Sequence, residues 1–357
     1  MPTTVINNAA FTDLLGKFRE EVANRSVTEM EALTPLELKD IIQKSRLTGL
    51  IIPEQYGGKG INLVDAIQVI QLVAEQAPSI SIMLCMHYHV VVTLALFTNI
   101  TPAGEQILRD VGEKNALVAS AFAEGVPGRD IFTSTVFSKR VEGGVLISGS
   151  KKPCTMTTVA DYYATSIVDY QDETSSGIAF VKHGQEGITT KQFWPSDLLK
   201  AADSNEVTFE NVMILEAYLK LGPMEEMSAI LSFGLAAFNL MISAAYIGIT
   251  TKLSKKLPQE VFGKKHIYVE LYGNILQVHY STIGLAAELA QTDEPEMVVN
   301  KILVLRYRTQ KTLKDIVAIV CENIGGMKYL KDPEILYLAS VANFITFHPI
   351  SRSQFEA

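Results

Sequence analysis

A long apolar stretch that begins at Met224, MEEMSAILSFGLAAFNLMISAAYIGITTKLSKK, constrains the fold more than any other part of the chain. Its apolar residues cover several faces of a helix instead of one stripe. Such a helix must be buried on most sides, in the core of a bundle or in a subunit interface. Two further stretches with helical periodicity follow, at about 268–291 and 295–321. We therefore predict a C-terminal four-helix bundle over residues 215–357.

The residues before this bundle divide into two parts with different sequence patterns. Over residues 1–115, apolar residues recur at three- and four-residue spacing, which is typical of helices. Residues 116–214 instead contain short β-branched and aromatic segments between Gly, Asp and Ser turns, such as STVFSKRVEGGVLISGS. This pattern indicates a small β barrel or sandwich. The predicted fold is a multidomain α+β protein with an N-terminal helical domain, a central β domain and the C-terminal bundle.

Charge and composition argue against several kinds of partner. The net charge is −8 and no block of Lys or Arg stands out, which disfavours a nucleic-acid or anionic-membrane surface. The longest apolar runs are shorter than the ~20 residues that span a bilayer, and the N-terminus does not resemble a secretion signal. Cys85, Cys154 and Cys321 lack metal-ligand spacing and suit a reducing cytoplasm. We therefore predict a cytoplasmic protein without a metal or a membrane span. Its 48% hydrophobic content favours a homodimer or homotetramer.

Five short motifs are spread over nearly the whole chain. They are GLIIPEQYGGKG from Gly49, SAFAEGVPGRD from Ser120, VLISGSKKPCTMTTVADYY from Val145, FGKK from Phe262 and ENIGGMKY from Glu322. In this order and spacing they resemble the acyl-CoA dehydrogenase superfamily. A single match of this kind would be a weak indication, but five in order are specific. The resemblance implies the three-domain fold predicted above and a bound flavin.

The resemblance also implies which residues bind the flavin. A flavin ring needs close backbone N–H groups and hydroxyls, which glycine-containing loops and Thr155 can supply. Gly325 and Gly326 would admit the dinucleotide tail of a flavin held by a neighbouring subunit. The cofactor-binding residues implied in this way are Phe122, Ala123, Glu124, Arg129, Cys154, Thr155, Gln259, Phe262, Glu322, Gly325 and Gly326.

Several of these positions depart from the family pattern. Gln259 stands where the family has an arginine for the FAD pyrophosphate, and Glu322 replaces a glutamine. The tryptophan that faces the flavin in the family aligns with Pro153 or Cys154. These departures weaken contacts with an adenine dinucleotide. The resemblance therefore implies FAD, with FMN or an exchangeable reduced flavin as the alternative.

The largest departure concerns the catalytic base. In GGMKYLKDPEILYLASVANFITFHP, ungapped alignment places His348 at the family's glutamate, and a one-residue slip would place Phe347 there. The family's alternative glutamate position, around ILSFGLAAFNLM, contains no carboxylate. Removing the α-proton of an acyl thioester needs a base near Cα, and a histidine with a pKa near 6.5 can serve at neutral pH.

The leading hypothesis is therefore the oxidation at Cα–Cβ of an acyl group carried by CoA or an acyl carrier protein. His348 is the candidate base. An electron-acceptor flavoprotein would then be the partner that reoxidises the flavin.

A second chemistry is open on the same scaffold. Monooxygenases of this fold that use free reduced flavin, FMNH2 or FADH2, resemble the chain at three places: a histidine on the helix before the β domain (His87 or His89), Thr155 in KKPCT, and His348 with Pro349. A neutral imidazole and a hydroxyl can donate to and accept from a peroxide and so stabilise it. On this hypothesis His87 or His89 lies in the substrate or peroxyflavin pocket, and a flavin reductase is the partner.

Each of these residues also has an ordinary structural explanation. A histidine on an apolar helix is often bonded to a backbone carbonyl, and histidines at i and i+2 point to different faces, which argues against a metal site. His348 can close a helix through its dipole, and Cys154 can be a small buried filler. A non-catalytic family member is a third hypothesis. Gln259 and the missing glutamate favour it, whereas the retained AEGVPGRD and GSKKPCT loops oppose it.

Overall fold

The computed structural model describes residue 6 and residues 8–97, 100–125, 134–172 and 174–350. The helix that follows Thr34 begins where the sequence predicts a start. The Thr34 hydroxyl accepts a hydrogen bond from the Glu37 N–H, and the Glu37 carboxylate accepts one from the Thr34 N–H at 2.8 Å. Such reciprocal capping stabilises the first turn of the helix. The α-helices before the sheet are α1 (Thr12–Val22), α2 (Val27–Glu31), α3 (Pro35–Lys44), α4 (Leu63–Ala74), α5 (Pro78–Leu96) and α6 (Gly104–Lys114).

A mixed eight-stranded sheet occupies the middle of the chain. Its order is β6-β7-β3-β2-β4-β5-β8, and β1 pairs with β4 in parallel. The predicted hairpin at EGG joins β2 to β3, with Gly143 in the left-handed region at φ +80°. The strands are β1 (Val118–Ala121), β2 (Phe137–Val141), β3 (Gly144–Cys154), β4 (Tyr162–Asp169), β5 (Ser175–Lys182), β6 (Ile188–Lys191), β7 (Asn205–Leu215) and β8 (Leu219–Pro223).

The long apolar stretch forms a single helix, α7, at the centre of the molecule. It packs against α4 and α5 from the N-terminal part and against α9 and α10 from its own part of the chain. Most of its residues are buried, as its lack of a polar face predicts. The remaining helices are α7 (Met224–Ser254), α8 (Gln259–Phe262), α9 (Lys265–Leu289), α10 (Pro295–Asn323), α11 (Gly326–Lys331) and α12 (Pro333–Val341), followed by a 3-10 turn (Ala342–Phe347).

Two helices, α5 and α7, are long and apolar enough to cross a membrane by length and composition alone. Protein surrounds both of them, because 83% of the apolar window of α5 and 89% of that of α7 is buried. This is how the core helices of a bundle behave. Their contact with each other and with the sheet creates the cavity described next.

Candidate functional site

A cavity of about 810 Å³ lies where α5, α7, the sheet and the segment 344–350 meet. This volume falls within the range of small-molecule and cofactor sites. One end, here called the hydroxyl end, is formed by the sheet and the loop after β1. The other, here called the apolar chamber, lies between α5 and α7. The hydroxyl end includes Ser120, Glu124, Thr155, Ser166 and Ser204, and the apolar chamber includes Ile82, Met86, Val90, Leu94, Ile230, Leu231, Gly234, Leu235 and Phe238.

His89 faces the cavity from α5. Only 7% of its surface is exposed, and its Nε2 has no hydrogen-bond partner among the described residues. The rings of Phe122 and Phe238 lie beside it, with centroid distances of 6.4 and 5.5 Å. Burial, and secondarily the neighbouring His87, lower the pKa of His89 to about 3. Buried polar atoms are usually paired, so a neutral imidazole in this position is available to a bound molecule.

His87, predicted together with His89 as a pocket residue, lies outside the cavity wall. Its Nδ1 accepts from the Val118 N–H at 3.0 Å, so its Nε2 carries the proton and donates to the Thr48 carbonyl at 3.1 Å. Both ring nitrogens are therefore used to join α5 to β1. The structural explanation holds for His87, because residues two apart on a helix face different neighbours.

His348 lines the cavity from the segment 344–350. Its Nε2 shares a hydrogen bond with the Tyr246 hydroxyl of α7 at 2.8 Å, and its ring lies 6.2 Å from that of Phe238. Burial, followed by the positive charge of Arg306, lowers the pKa of His348 to about 3. The imidazole is thus neutral at pH 7, and His89, Phe238 and His348 form one continuous aromatic wall.

Arg306 of α10 holds this segment in place. It is 1% exposed and donates to the Ile345 carbonyl at 2.9 Å, to the Ile350 carbonyl at 2.7 Å and to the His348 carbonyl. It also donates to the Asn239 side-chain oxygen at 3.1 Å. Burial lowers its pKa to about 10, so the guanidinium remains charged near neutral pH. Arg306 therefore fixes the position of His348 through its backbone.

The loop after β1 is fastened to β3 at the hydroxyl end. The Lys152 N–H donates to the Ala123 carbonyl at 2.9 Å. Gly125 has φ +64°, and a Cβ at this position would lie 2.8 Å from the Lys152 carbonyl oxygen, so the close approach requires glycine. The hydroxyls of Thr155 and Ser204 meet at 3.0 Å. Backbone and hydroxyl groups are thus presented side by side.

A buried ion pair supports this end from behind. Lys151 is fully buried and contacts the Glu124 carboxylate, and it also donates to the hydroxyls of Ser134 at 3.0 Å and Ser166 at 2.8 Å. The Glu124 carboxylate also accepts from the Thr135 N–H at 3.0 Å. Glu124 is the one carboxylate on the described part of the cavity wall. Its charge is fully engaged.

The other residues implied as flavin ligands lie elsewhere. Cys154 is buried but does not line the cavity, and the neighbouring Pro153 does, so the prediction for Cys154 is corrected. Strand alternation turns its thiol away from the cavity. Arg129 falls outside the described residues, as does the side chain of Phe262, which ends α8. Four further residues are exposed around α8, α10 and α11, away from the cavity wall: Gln259, Glu322, Gly325 and Gly326.

The residues present fit a flavin. The hydroxyl end offers backbone groups at Ala123 and Gly125 and the paired hydroxyls of Thr155 and Ser204, which suit the polar edge of a ring system. The unpartnered Nε2 of His89 supplies a further hydrogen-bonding group on the opposite side. The aromatic side chains between them suit a flat ring. Sequence reasoning missed Tyr246, Phe238, Lys151 and Arg306, which complete this arrangement.

The buried histidines predict a pH dependence of stability. His87, His89 and His348 have folded-state pKa values of about 4, 3 and 3, against about 6.5 in an unfolded chain. Between pH 6.5 and 4 the unfolded chain therefore binds protons that the folded chain does not. Stability is complete above pH 6.5 and falls on acidification, by on the order of 1–2 kcal/mol for each histidine at pH 5. Urea unfolding at pH 5 and 7 measures the loss.

A His89→Leu variant provides the control for this prediction. It should reduce the proton uptake on unfolding by about one between pH 4 and 6.5, since one proton-binding group is removed. An unchanged pH slope in this variant would show that His89 is not held neutral in the fold.

The chain is similar to known proteins of acyl-CoA dehydrogenase fold. Residues 8–103 match the model of the acyl-CoA dehydrogenase N-terminal domain. The chain is 29% identical to the isobutylamine N-hydroxylase of Streptomyces viridifaciens over 323 residues, which cover 88% of this chain and 85% of the relative. It is 26% identical to an acyl-CoA dehydrogenase of Bacillus subtilis over 204 residues, 56% of this chain and about half, 54%, of that relative.

A solved structure extends the comparison to the whole fold. The complex of TdsC from Paenibacillus sp. A11-2 with FMN and indole superposes with a TM-score of 0.80 at 17% identity, over 98% of this chain and 94% of TdsC. The helical domain, the central sheet and the C-terminal helices all correspond. Residues 8–103 therefore form an acyl-CoA dehydrogenase N-terminal domain, and the chain as a whole has the acyl-CoA dehydrogenase fold and is similar to flavoenzymes of that fold.

Proposed function

We propose that the protein is a flavin-dependent monooxygenase. It takes FMNH2 or FADH2 from a flavin reductase and transfers one oxygen atom to a small, mostly apolar substrate. The observation that carries this proposal is the composition of the cavity wall. The described wall presents imidazoles and hydroxyls, and its one carboxylate, Glu124, is engaged by Lys151 and Thr135. Oxidation of an acyl thioester needs a base free to take an α-proton, whereas transfer of oxygen to a heteroatom does not.

The relatives support the same reading. One is named for the N-hydroxylation of isobutylamine, and it aligns over most of both chains. TdsC, named as a dibenzothiophene monooxygenase, has this fold and binds FMN. Both names describe oxygen transfer to compounds that are not thioesters. FMN also agrees with the altered positions Gln259 and Glu322, where contacts with an FAD tail are weakened.

The residues of the wall have distinct parts in this reaction. When bound, the reduced flavin supplies the two electrons with which dioxygen is divided between product and water. His89 and His348 both lie beside Phe238, and the unpartnered Nε2 of His89 can hydrogen-bond to a bound molecule without carrying charge, while His348, bonded to Tyr246, keeps its part of the wall neutral. Thr155 and Ser204 orient the polar edge of the ring. The apolar chamber excludes water from the reacting atoms.

Dehydrogenation of an acyl thioester, with FAD as cofactor, remains the second candidate. His348 favours it, because this residue lines the cavity where the family's base is expected from the alignment. The similarity to an acyl-CoA dehydrogenase also favours it. Against it stands the low pKa of His348, whose Nε2 is already hydrogen-bonded to Tyr246.

The proposal predicts flavin-dependent incorporation of oxygen. Purified protein, supplied with FMN, NADH and a flavin reductase under ¹⁸O₂, should add one ¹⁸O atom to a small amine, sulfide or indole. Mass spectrometry of the product measures this incorporation. Omitting either the protein or the reductase should abolish it, because both the cavity and the reduced flavin are required.

An anaerobic experiment tests the second candidate. An acyl-CoA thioester added to the protein with FAD should leave the visible flavin absorbance unchanged. Bleaching that disappears in a His348→Ala variant would contradict the monooxygenase and support a dehydrogenase with His348 as its base. Failure to bind flavin in either redox state would support the non-catalytic hypothesis.

We further propose that the protein acts in the cytoplasm as a homodimer or homotetramer. Large apolar side chains are exposed on the outer helices, among them Val269, Tyr280, Met297 and Val304 of α9 and α10. Exposed apolar residues on neighbouring helices support an interface there. Sedimentation at several protein concentrations tests the oligomeric state.

A further inference from the structure

We propose that the cavity takes its substrate uncharged, so that an amine enters as the free base and not as the ammonium ion. This proposal rests on the monooxygenase function for its chemical meaning, since only a neutral amine has the lone pair that accepts an oxygen atom. Its physical basis is separate, because it depends on the charges of the wall alone.

The acidic group of the wall cannot pair with an ammonium ion. The Glu124 carboxylate is the one acidic side chain of the described wall, and it contacts the buried Lys151 ammonium and the Thr135 N–H. An incoming cation would have to compete with a lysine that is fully buried and also bonded to two serines. Separating a buried ion pair leaves an uncompensated charge, which is strongly unfavourable.

The basic groups on the described part of the wall are likewise engaged or lie behind it. Lys152 lines the cavity, and its ammonium pairs with the Glu206 carboxylate at 2.9 Å. Arg306 lies behind His348, and its four hydrogen bonds go to three carbonyl oxygens and the amide oxygen of Asn239. Its positive charge therefore faces the cavity from behind and opposes a second cation.

The titratable groups between these charges are neutral. His89 and His348 have low pKa values, and the hydroxyl of Tyr246, beside His348, has its pKa raised by burial. The apolar chamber surrounds His89 with Ile, Leu, Met and Phe side chains. An ammonium ion placed there would lose its hydration without gaining a counter-ion among the described residues, and contact with aromatic faces would compensate only a part of this loss.

A single tryptophan makes the proposal measurable without turnover. Trp194 is the one tryptophan of the chain and lines the cavity, where its ring lies 5.8 Å from that of Phe344. Its fluorescence should therefore respond to an occupant. The probes are cyclohexylmethanol and cyclohexylmethylamine, which share one carbon frame and differ in the group that can carry charge.

The expected result is a difference in pH dependence between the two probes. The neutral fraction of a primary amine rises about tenfold per pH unit below its pKa near 10.4. The apparent dissociation constant of the amine should therefore fall about 100-fold from pH 7 to pH 9. That of the alcohol should stay constant, because the two cavity imidazoles are already neutral throughout this range.

Two variants confirm that the signal comes from the cavity. Gly234 of α7 lines the apolar chamber, so a Gly234→Leu variant should raise the dissociation constants of both probes by at least about tenfold. Gly16 of α1 is also helical, and a Cβ there would meet nothing within 4 Å. A Gly16→Leu variant should bind both probes as the unmodified protein does.

Other outcomes would overturn the proposal. Amine binding that is independent of pH, or tighter at pH 7 than at pH 9, would show that the ammonium ion is accepted. Failure of the alcohol to bind at any pH would show that the chamber does not take uncharged apolar molecules. The selectivity found in this way stands even if no flavin-dependent turnover is observed, whereas the absence of turnover would remove the proposed function alone.

Discussion

Replacing Lys151 with methionine is expected to lower the free energy of unfolding by about 3–5 kcal/mol, the range found when one partner of a buried ion pair is removed. Lys151 is fully buried, and its substitution leaves the Glu124 carboxylate without its counter-ion in a site of low polarity. The hydroxyls of Ser134 and Ser166 lose a partner at the same time. Chemical denaturation at pH 7 measures the change.

Two further variants separate the ion pair from a general effect of the substitution. Lys200→Met removes the exposed partner of Asp197 and should cost less than about 0.5 kcal/mol. Adding Glu124→Gln to Lys151→Met should recover part of the loss, since the buried charge is removed while the amide oxygen can still accept from Thr135. A loss below about 1 kcal/mol for Lys151→Met would contradict the assignment of a buried, energetically coupled pair.

Replacing His89 with leucine is expected to lower coupled turnover by about 10²–10³-fold, the effect of losing one well-placed hydrogen-bonding group. The free energy of unfolding should stay unchanged or rise by about 1 kcal/mol, because an unpartnered buried polar atom is replaced by an apolar one. The amount of product formed per NADH consumed measures the coupling. The release of hydrogen peroxide measures the NADH that is consumed without oxygen transfer to the substrate.

His87 provides the matched control on the same helix. His87→Leu leaves the Val118 N–H and the Thr48 carbonyl without partners and should cost about 2–4 kcal/mol of stability. The folded fraction of this variant should keep its coupling. Equal losses of coupling in the two variants would contradict a direct role of His89 in the oxygen-transfer reaction.

Periodicity and motifs were sufficient to predict the long buried helix α7, the β region that precedes it in the chain, and the resemblance to the family. They could not say which of His87 and His89 faces the cavity. Helix α5 is apolar on nearly all sides, so its sequence carries no polar stripe that would orient it. The direction of each ring is decided by contacts with β1 and α7, which are distant in sequence.

The adjacent lysines Lys151 and Lys152 are a sequence signal of the buried ion pair. In a strand, neighbouring side chains point to opposite faces, so two adjacent lysines in β3 cannot both face solvent in the same way. One is fully buried beside Glu124, and the other pairs with Glu206 at the cavity. Alternation alone would have singled out a buried lysine, which in turn requires a buried acid.

Other parts of the site depend on contacts that no local pattern reveals. Tyr246 and His348 are 102 residues apart, and their hydrogen bond exists only because the segment 344–350 folds back onto α7. Arg306 resembles any helix-surface arginine in the sequence, since its neighbours on α10 include exposed residues. Gln259 and Glu322, chosen by resemblance alone, lie at the exposed end of the bundle, and their contact with a flavin held by a neighbouring subunit stays a prediction.

The contacts of Arg306 with the segment 344–350 also set the order in which the cavity wall can be completed during synthesis. The ribosome makes α5, the sheet and α7 before it makes α10 and the segment 344–350. We therefore expect a nascent chain at this stage to leave the apolar residues of the chamber as an open trough, the kind of surface that promotes aggregation. The trough closes when Arg306 gathers the carbonyls of Ile345, His348 and Ile350. Enclosure of the cavity therefore follows the synthesis of α10 and of the segment 344–350.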